Sequence, residues 1–193
     1  MKNLILKFIT LISIQLFVGS SVIAATCMQT VPDSALVKKG TLVMSTNPTL
    51  PPLQFIDSTG KLKGMRIILG KEVAKRLCLK PEYIRIEFSA MIPGLEAGRW
   101  DMINTGIFWN PKRAAMMKMI PYESAAISIS VKKGNPLRIN KQEDLAGKAV
   151  GVEIGGLEEK KLREIDKNLR AKGLTQIDIR VFDNFALSYQ ALR

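Results

Sequence analysis

Apolar positions along the chain switch between two spacings, and the switches divide it into alternating strands and helices. The β-rich run "TLVMST" (41–46) predicts a strand, and "LQFID" and "KLKG" flank "STG" as the arms of a hairpin. Met65, Leu69, Val73 and Leu77 recur every four residues through "MRIILGKEVAKRL", which predicts an amphipathic helix interrupted only at Gly70. "YIRIEF" alternates as a strand, Ser89 stands as the cap of a helix "AMIPGLEAGR", and "DMINTG" reads as the next strand. Asn110 is a good N-cap with Pro111 at the first helical position, and this helix is expected to run to about Met119. "AISISV" (126–131) alternates as a further strand.

A polar loop, "KKGNPLRINK", and a short helix, "QEDLA", precede a second set of elements. "KAVGVEI" reads as a buried strand, and "GGLEEKKLREIDKNLRAKG" as a helix with Leu162, Ile165 and Leu169 on one face. "IDIRVFD" is a strand, and "NFALSYQALR" starts a helix with Phe185, Tyr189 and Leu192 spaced i, i+4, i+7. Strands separated by helices mean β-α-β units and a largely parallel sheet, hence an α/β protein. The loop near 132–141 marks a boundary between two such units, and no internal repeat is evident.

The N-terminus changes this picture by removing itself from it. Lys2 and Lys7 precede the apolar run "FITLISIQLFV", and "GSSVIAAT" supplies the small residues of a cleavage site near Ala24 or Ala25. A run this short is a poor membrane span. Residues 1–25 therefore read as a signal peptide, which places the mature chain outside the cytoplasm, in a bacterial periplasm. Without Lys2 and Lys7, 27 Lys+Arg face 17 Asp+Glu, a net charge of +10 (27 − 17) that favours anionic ligands. The charges are scattered and not interleaved with aromatics, so nucleic acid is not an expected partner. There is no histidine, and the acids do not cluster at ligand spacing, so no metal site or cofactor is expected. Cys27 and Cys78, an even count in an oxidising compartment, suggest a disulfide. It would close a loop of about 50 residues, worth on the order of 3–4 kcal/mol. Lipidation of Cys27 is the rival, although "AAT" before it suits a lipoprotein signal poorly.

Four segments carry a resemblance. "GTLVMSTNPTLPPLQFIDSTGKLKG", "FSAMIPGLEAGRWDMINTG", "PKRAAMMKMIPY" and "DLAGKAVGVEIGG" follow the order and spacing of the polar amino-acid-binding proteins, family 3 of the bacterial extracellular solute-binding proteins, over about residues 38–193. The resemblance implies a two-lobe α/β fold of the periplasmic-binding-protein type 2, with an N-terminal extension (26–40), a first lobe (41–128) and a hinge strand with a partial second lobe (129–193). It implies a monomer that traps a small carboxylate-bearing, amino-acid-like ligand between its lobes and hands it to an ABC permease of the inner membrane. Such proteins continue past "NFALSYQALR" with a glycine turn and a strand bearing an Asp for the ligand ammonium; the sequence stops at Arg193, so a weakened ligand response is expected. A dehydratase-like enzyme on the same scaffold, a sensor input domain and a truncated non-functional remnant are the alternatives.

The same resemblance nominates the site. Arg113 holds the position of the arginine that grips the ligand carboxylate, in the first turn of a helix whose free N–H groups also favour an anion. Thr105 and Gly106 match ligand-facing positions at a strand end. Phe88 matches a position that packs on the ligand side chain. Four residues depart from the family's pattern: Phe108 stands where Ser or Thr is usual, Leu157 replaces a Thr beside Gly156, Asn47 replaces an Asp, and Leu50 replaces an aromatic. The pocket is therefore expected to be more apolar and less negative, with Gly155 and Gly156 left to offer backbone N–H groups. Phe108 and Trp109 read equally as core. Arg66 and Ile68 replace acids at the start of the first long helix. Glu158 reads as a helix-dipole residue, and Glu153 is the one acid nominated for an enzyme.

Overall fold

A computed structural model describes residues 27–193, so the expected signal peptide lies outside the described residues. In chain order the elements are β1 (Thr41–Thr46), β2 (Thr49–Leu50), β3 (Gln54–Ile56), β4 (Leu62–Lys63), α1 (Met65–Arg76), β5 (Lys80–Arg85), α2 (Met91–Glu96), β6 (Met102–Ile103) and α3 (Pro111–Met116). They are followed by β7 (Ala149–Glu153), α4 (Leu157–Ala171), β8 (Asp178–Phe182) and α5 (Phe185–Leu192).

β1 sits between β5 and β6 and runs parallel to both, which is why it is buried along its whole length. Leu42 and Met44 pack with Ala74 and Leu79 into the core beneath α1. Gly70 does not interrupt α1. A Cβ there would overlap the Asn104 amide and the Tyr83 hydroxyl, so the glycine is what lets the helix lie close to the sheet. β3 and β4 form the expected antiparallel hairpin, and β2, which was not expected, pairs antiparallel with β3. The disulfide is formed: Cys27 and Cys78 bond with Cα atoms 5.6 Å apart, just beyond the end of α1.

The second unit is a parallel pair, β7 and β8, covered by α4. Leu145, Val152, Leu162, Leu169 and Ile177 form its core, so the apolar face expected of α4 is the one buried, with Ile165 packed against it. Four expectations are corrected. "AISISV" forms no strand, because among the described residues nothing pairs with it; instead a groove of about 360 Å³, lined by Ile127, Ile129, Val131, Val150, Val152 and Leu162, separates it from β7. For the same reason β7 is buried only at Val152 and Glu153, not throughout. α3 ends at Met116, short of Met119. Ser89 caps nothing: it lies inside a 3-10 turn, Phe88–Ala90, that leads into α2 without a side-chain cap.

Candidate functional site

The parallel strands of both units end towards each other, and the polar residues that follow them converge there. Asn47 follows β1, Thr105 to Phe108 follow β6, and Gly155 to Leu157 follow β7, which is where open α/β sheets bind ligands.

Arg113 is held from both sides. Asn110 caps α3, its Oδ1 accepting from the Arg113 N–H at 2.9 Å, and this fixes the turn that carries the side chain. The side chain turns inward and is buried, with 8% of the residue exposed. Nη1 donates to the Phe108 carbonyl at 2.8 Å and Nη2 to the Gly155 carbonyl at 3.2 Å, while the guanidinium carbon lies 5.4 Å from the centre of the Phe88 ring. Burial lowers its affinity for a proton and the Glu158 charge opposes that, so it remains a cation. Among the described residues no carboxylate forms an ion pair with it. A desolvated cation whose only acceptors are backbone carbonyls has capacity left for an anion.

Glu153, at the end of β7 in the second unit, is 2% exposed and accepts a hydrogen bond of 2.9 Å from Asn47 Nδ2 in the first. Burial, then the charges of Glu158 and Glu87, push its pKa up to about 8, against the opposing pull of the Phe185 N–H and Asn47. The Asn184 amide donates to Glu87 at 3.2 Å, so Asn47–Glu153, Arg113–Gly155 and Asn184–Glu87 all bridge the two units.

The other nominated residues divide. Thr105 is buried, but its hydroxyl already accepts from Gln54 Nε2 at 3.0 Å. Gly106 lies against the Arg66 guanidinium, and a Cβ would overlap it. Phe108 is half-buried and contributes its carbonyl, whereas Trp109 is exposed, not core. Leu50 is half-buried in β2, on the side reached by α5. Gly156 is the N-cap position of α4, with Leu157 half-buried behind it. The Gly155 N–H expected to greet a ligand is taken by the Glu159 carboxylate at 2.8 Å.

Three acids that the expected, less negative pocket did not include gather beside Asn47. Glu153, Glu158 and Glu87 are close enough for two of them to repel charge on the third. Glu87 carried no signal in the sequence, because it nears Glu153 only where the two units meet. Glu158 was legible as a first-turn acid, but not as a neighbour of Arg113.

Two α/β units that meet over a buried arginine, which among the described residues forms no ion pair, are the architecture of a solute-binding protein. This chain belongs to the bacterial extracellular solute-binding proteins, family 3, which its residues 42–177 match. It is 28% identical over 178 residues to the L-cystine-binding protein TcyJ of Escherichia coli (strain K12), a match covering 90% of this chain and 64% of that protein. It is 29% identical over 184 residues to the lysine/arginine/ornithine-binding periplasmic protein of the same organism, covering 95% of this chain and 65% of the relative. Among solved structures, an ancestral arginine-binding protein bound to arginine matches with a TM-score of 0.72 at 36% identity, over 79% of this chain and 65% of that one. The ancestral amino acid-binding protein AncCDT-1, a precursor of cyclohexadienyl dehydratase, matches with a TM-score of 0.71 at 31% identity, with the same coverage. This chain therefore spans a little under two thirds of each of these proteins.

Proposed function

We propose that this chain captures an amino-acid-like solute between its units, as the periplasmic receptor of an ABC importer. The observation that carries this reading is Arg113: a buried guanidinium over the Phe88 ring that reaches across to Gly155 and, among the described residues, forms no ion pair. A solute carboxylate would displace the longer of its two bonds, the 3.2 Å one to the Gly155 carbonyl, and take a charge-assisted pair in exchange. Glu158 and Glu87, whose charges already act on Glu153, then offer the countercharge for an ammonium, while Glu153 holds its proton. Thr105, Gly106, Phe108, Asn47, Leu50, Phe88, Gly156 and Leu157 form the rest of the wall. In this reading residues 41–128 are the first lobe, the chain from 129 enters the second, residues 1–25 direct export, and the mature protein meets its inner-membrane permease as a monomer with ligand inside.

Calorimetric titration with L-arginine, L-lysine, L-ornithine and L-cystine tests it. At least one should bind, and Arg113→Met should weaken that binding on the order of a hundredfold, the worth of two hydrogen bonds to a charged group. Equal affinity in the variant would remove the proposal. Glu153 supports a second reading, an enzyme, because a carboxyl that titrates near neutrality can act as general acid or base. Incubation with candidate cyclohexadienyl substrates separates the two: consumption that Glu153→Gln abolishes would favour the enzyme.

A further inference from the structure

Arg66 is the other buried arginine, and the solute reading above does not use it. It is 4% exposed, in the first turn of α1. Its Nε donates to the Tyr122 hydroxyl at 2.9 Å and to Glu123 at 3.1 Å, Nη2 makes an ion pair with Glu123, and Nη1 donates to Gln54 Oε1 at 2.8 Å. Gln54 passes the connection on, donating at 3.0 Å to the Thr105 hydroxyl. The Arg66 backbone carbonyl accepts from Asn104 at 2.9 Å, and Gly106 leaves the space that the guanidinium fills. Tyr122 and Glu123 lie on the stretch that leaves α3 at Met116 and first lines the second unit at Ile127. One side chain thus touches both the loop after β6 and the chain that crosses between the units.

We propose that Arg66 is a positioning residue for solute capture: through Gln54 it orients Thr105 and Gly106, and through Glu123 it fastens that loop to the crossing chain. The proposal rests on the reading that Thr105 and Gly106 face the solute. Only a planar fork of donors can serve Gln54, Tyr122 and Glu123 at once; a lysine ammonium would serve the charge but not the geometry. Arg66→Met leaves Glu123 without its partner, but that side chain is 33% exposed and can turn to water, so the variant is expected to fold. What it should lose is the link between the two segments.

The test uses the full chain and the variants R66M, R66K, E123Q and R66M/E123Q. L-Arginine, L-lysine and L-cystine are titrated calorimetrically, and amide hydrogen exchange is followed over 103–108 and 120–124. R66M should weaken binding roughly tenfold, one hydrogen bond's worth, with its unfolding midpoint lowered less than that of E123Q. R66K should fail to restore affinity. E123Q should be the least stable variant, since it strands a buried guanidinium, and the double variant should recover stability without recovering affinity. Exchange should rise together in the loop and the crossing chain in R66M, while β1 and α4 keep their protection. Wild-type affinity in R66M, full rescue by lysine, or exchange that rises everywhere alike would overturn the proposal. If no amino acid binds the wild type, the solute reading fails by itself, and the paired exchange response still decides whether Arg66 couples the two segments.

Discussion

Glu153 is a buried carboxyl in a wall that also carries a cation, and its proton is therefore coupled to folding. Its pKa rises from an ordinary carboxyl value to about 8, chiefly through burial. Between pH 4.5, where an unfolded glutamate titrates, and pH 8, the folded chain holds a proton that the unfolded chain has released. Stability must then fall as pH rises through that window, and the loss is complete above it. Glu153→Gln keeps the shape and an acceptor for Asn47 while removing the titration. The gap in unfolding midpoint between E153Q and wild type should widen from pH 5 to about pH 8.5; parallel curves would show that Glu153 titrates normally. Arg113 was legible beforehand, because its cap and Pro111 are local and the motif around it matched a family. Glu87 and the Arg66–Glu123 pair were not, since partners 57 residues apart are chosen by tertiary packing that no short window encodes.

Elements read well wherever periodicity was sustained. α1 and α4 appeared where the helical spacing put them, because a helix satisfies its own backbone, although α1 buries Ile67, Gly70 and Ala74 and leaves Met65 exposed. "AISISV" failed for the complementary reason: a strand's hydrogen bonds belong to its neighbours, and alternation alone cannot provide one. α3 shows how much a short element leans on one side chain. Six residues cannot hold a helix unaided, so the Asn110 cap does much of that work. Asn110→Ala should lower stability by about 1 kcal/mol and loosen Arg113 with it. Chemical denaturation reads the first effect, and a smaller ligand-induced thermal shift the second. Unchanged binding would mean that Phe88 and the Phe108 carbonyl suffice to hold the guanidinium.

At the scale of the whole molecule the two units are unequal. The first has a three-stranded parallel sheet with a fully buried centre; the second has two strands, and α5 above them buries none of its residues completely. Two-stranded sheets are marginal without packing partners, so the second unit should open first. Amides of β7 and β8 should exchange at least tenfold faster than those of β1, measured by mass spectrometry under native conditions. Uniform protection would show that the three bridges between the units make them fold as one.

The disulfide lies at the end of the sheet remote from Arg113. β1 starts beside Lys80, two residues past Cys78, and runs six residues to Asn47, roughly 20 Å at strand rise. The crosslink should strengthen the scaffold without touching capture: C27S/C78S should melt lower, by roughly 4 kcal/mol of stability, and bind as before. That distance also makes the exposed Met28, next to the crosslink, a safe handle. A dye or a surface anchor attached there would leave the mouth between the units free to the surrounding solution, and an immobilised sample should report the same dissociation constant as one in free suspension.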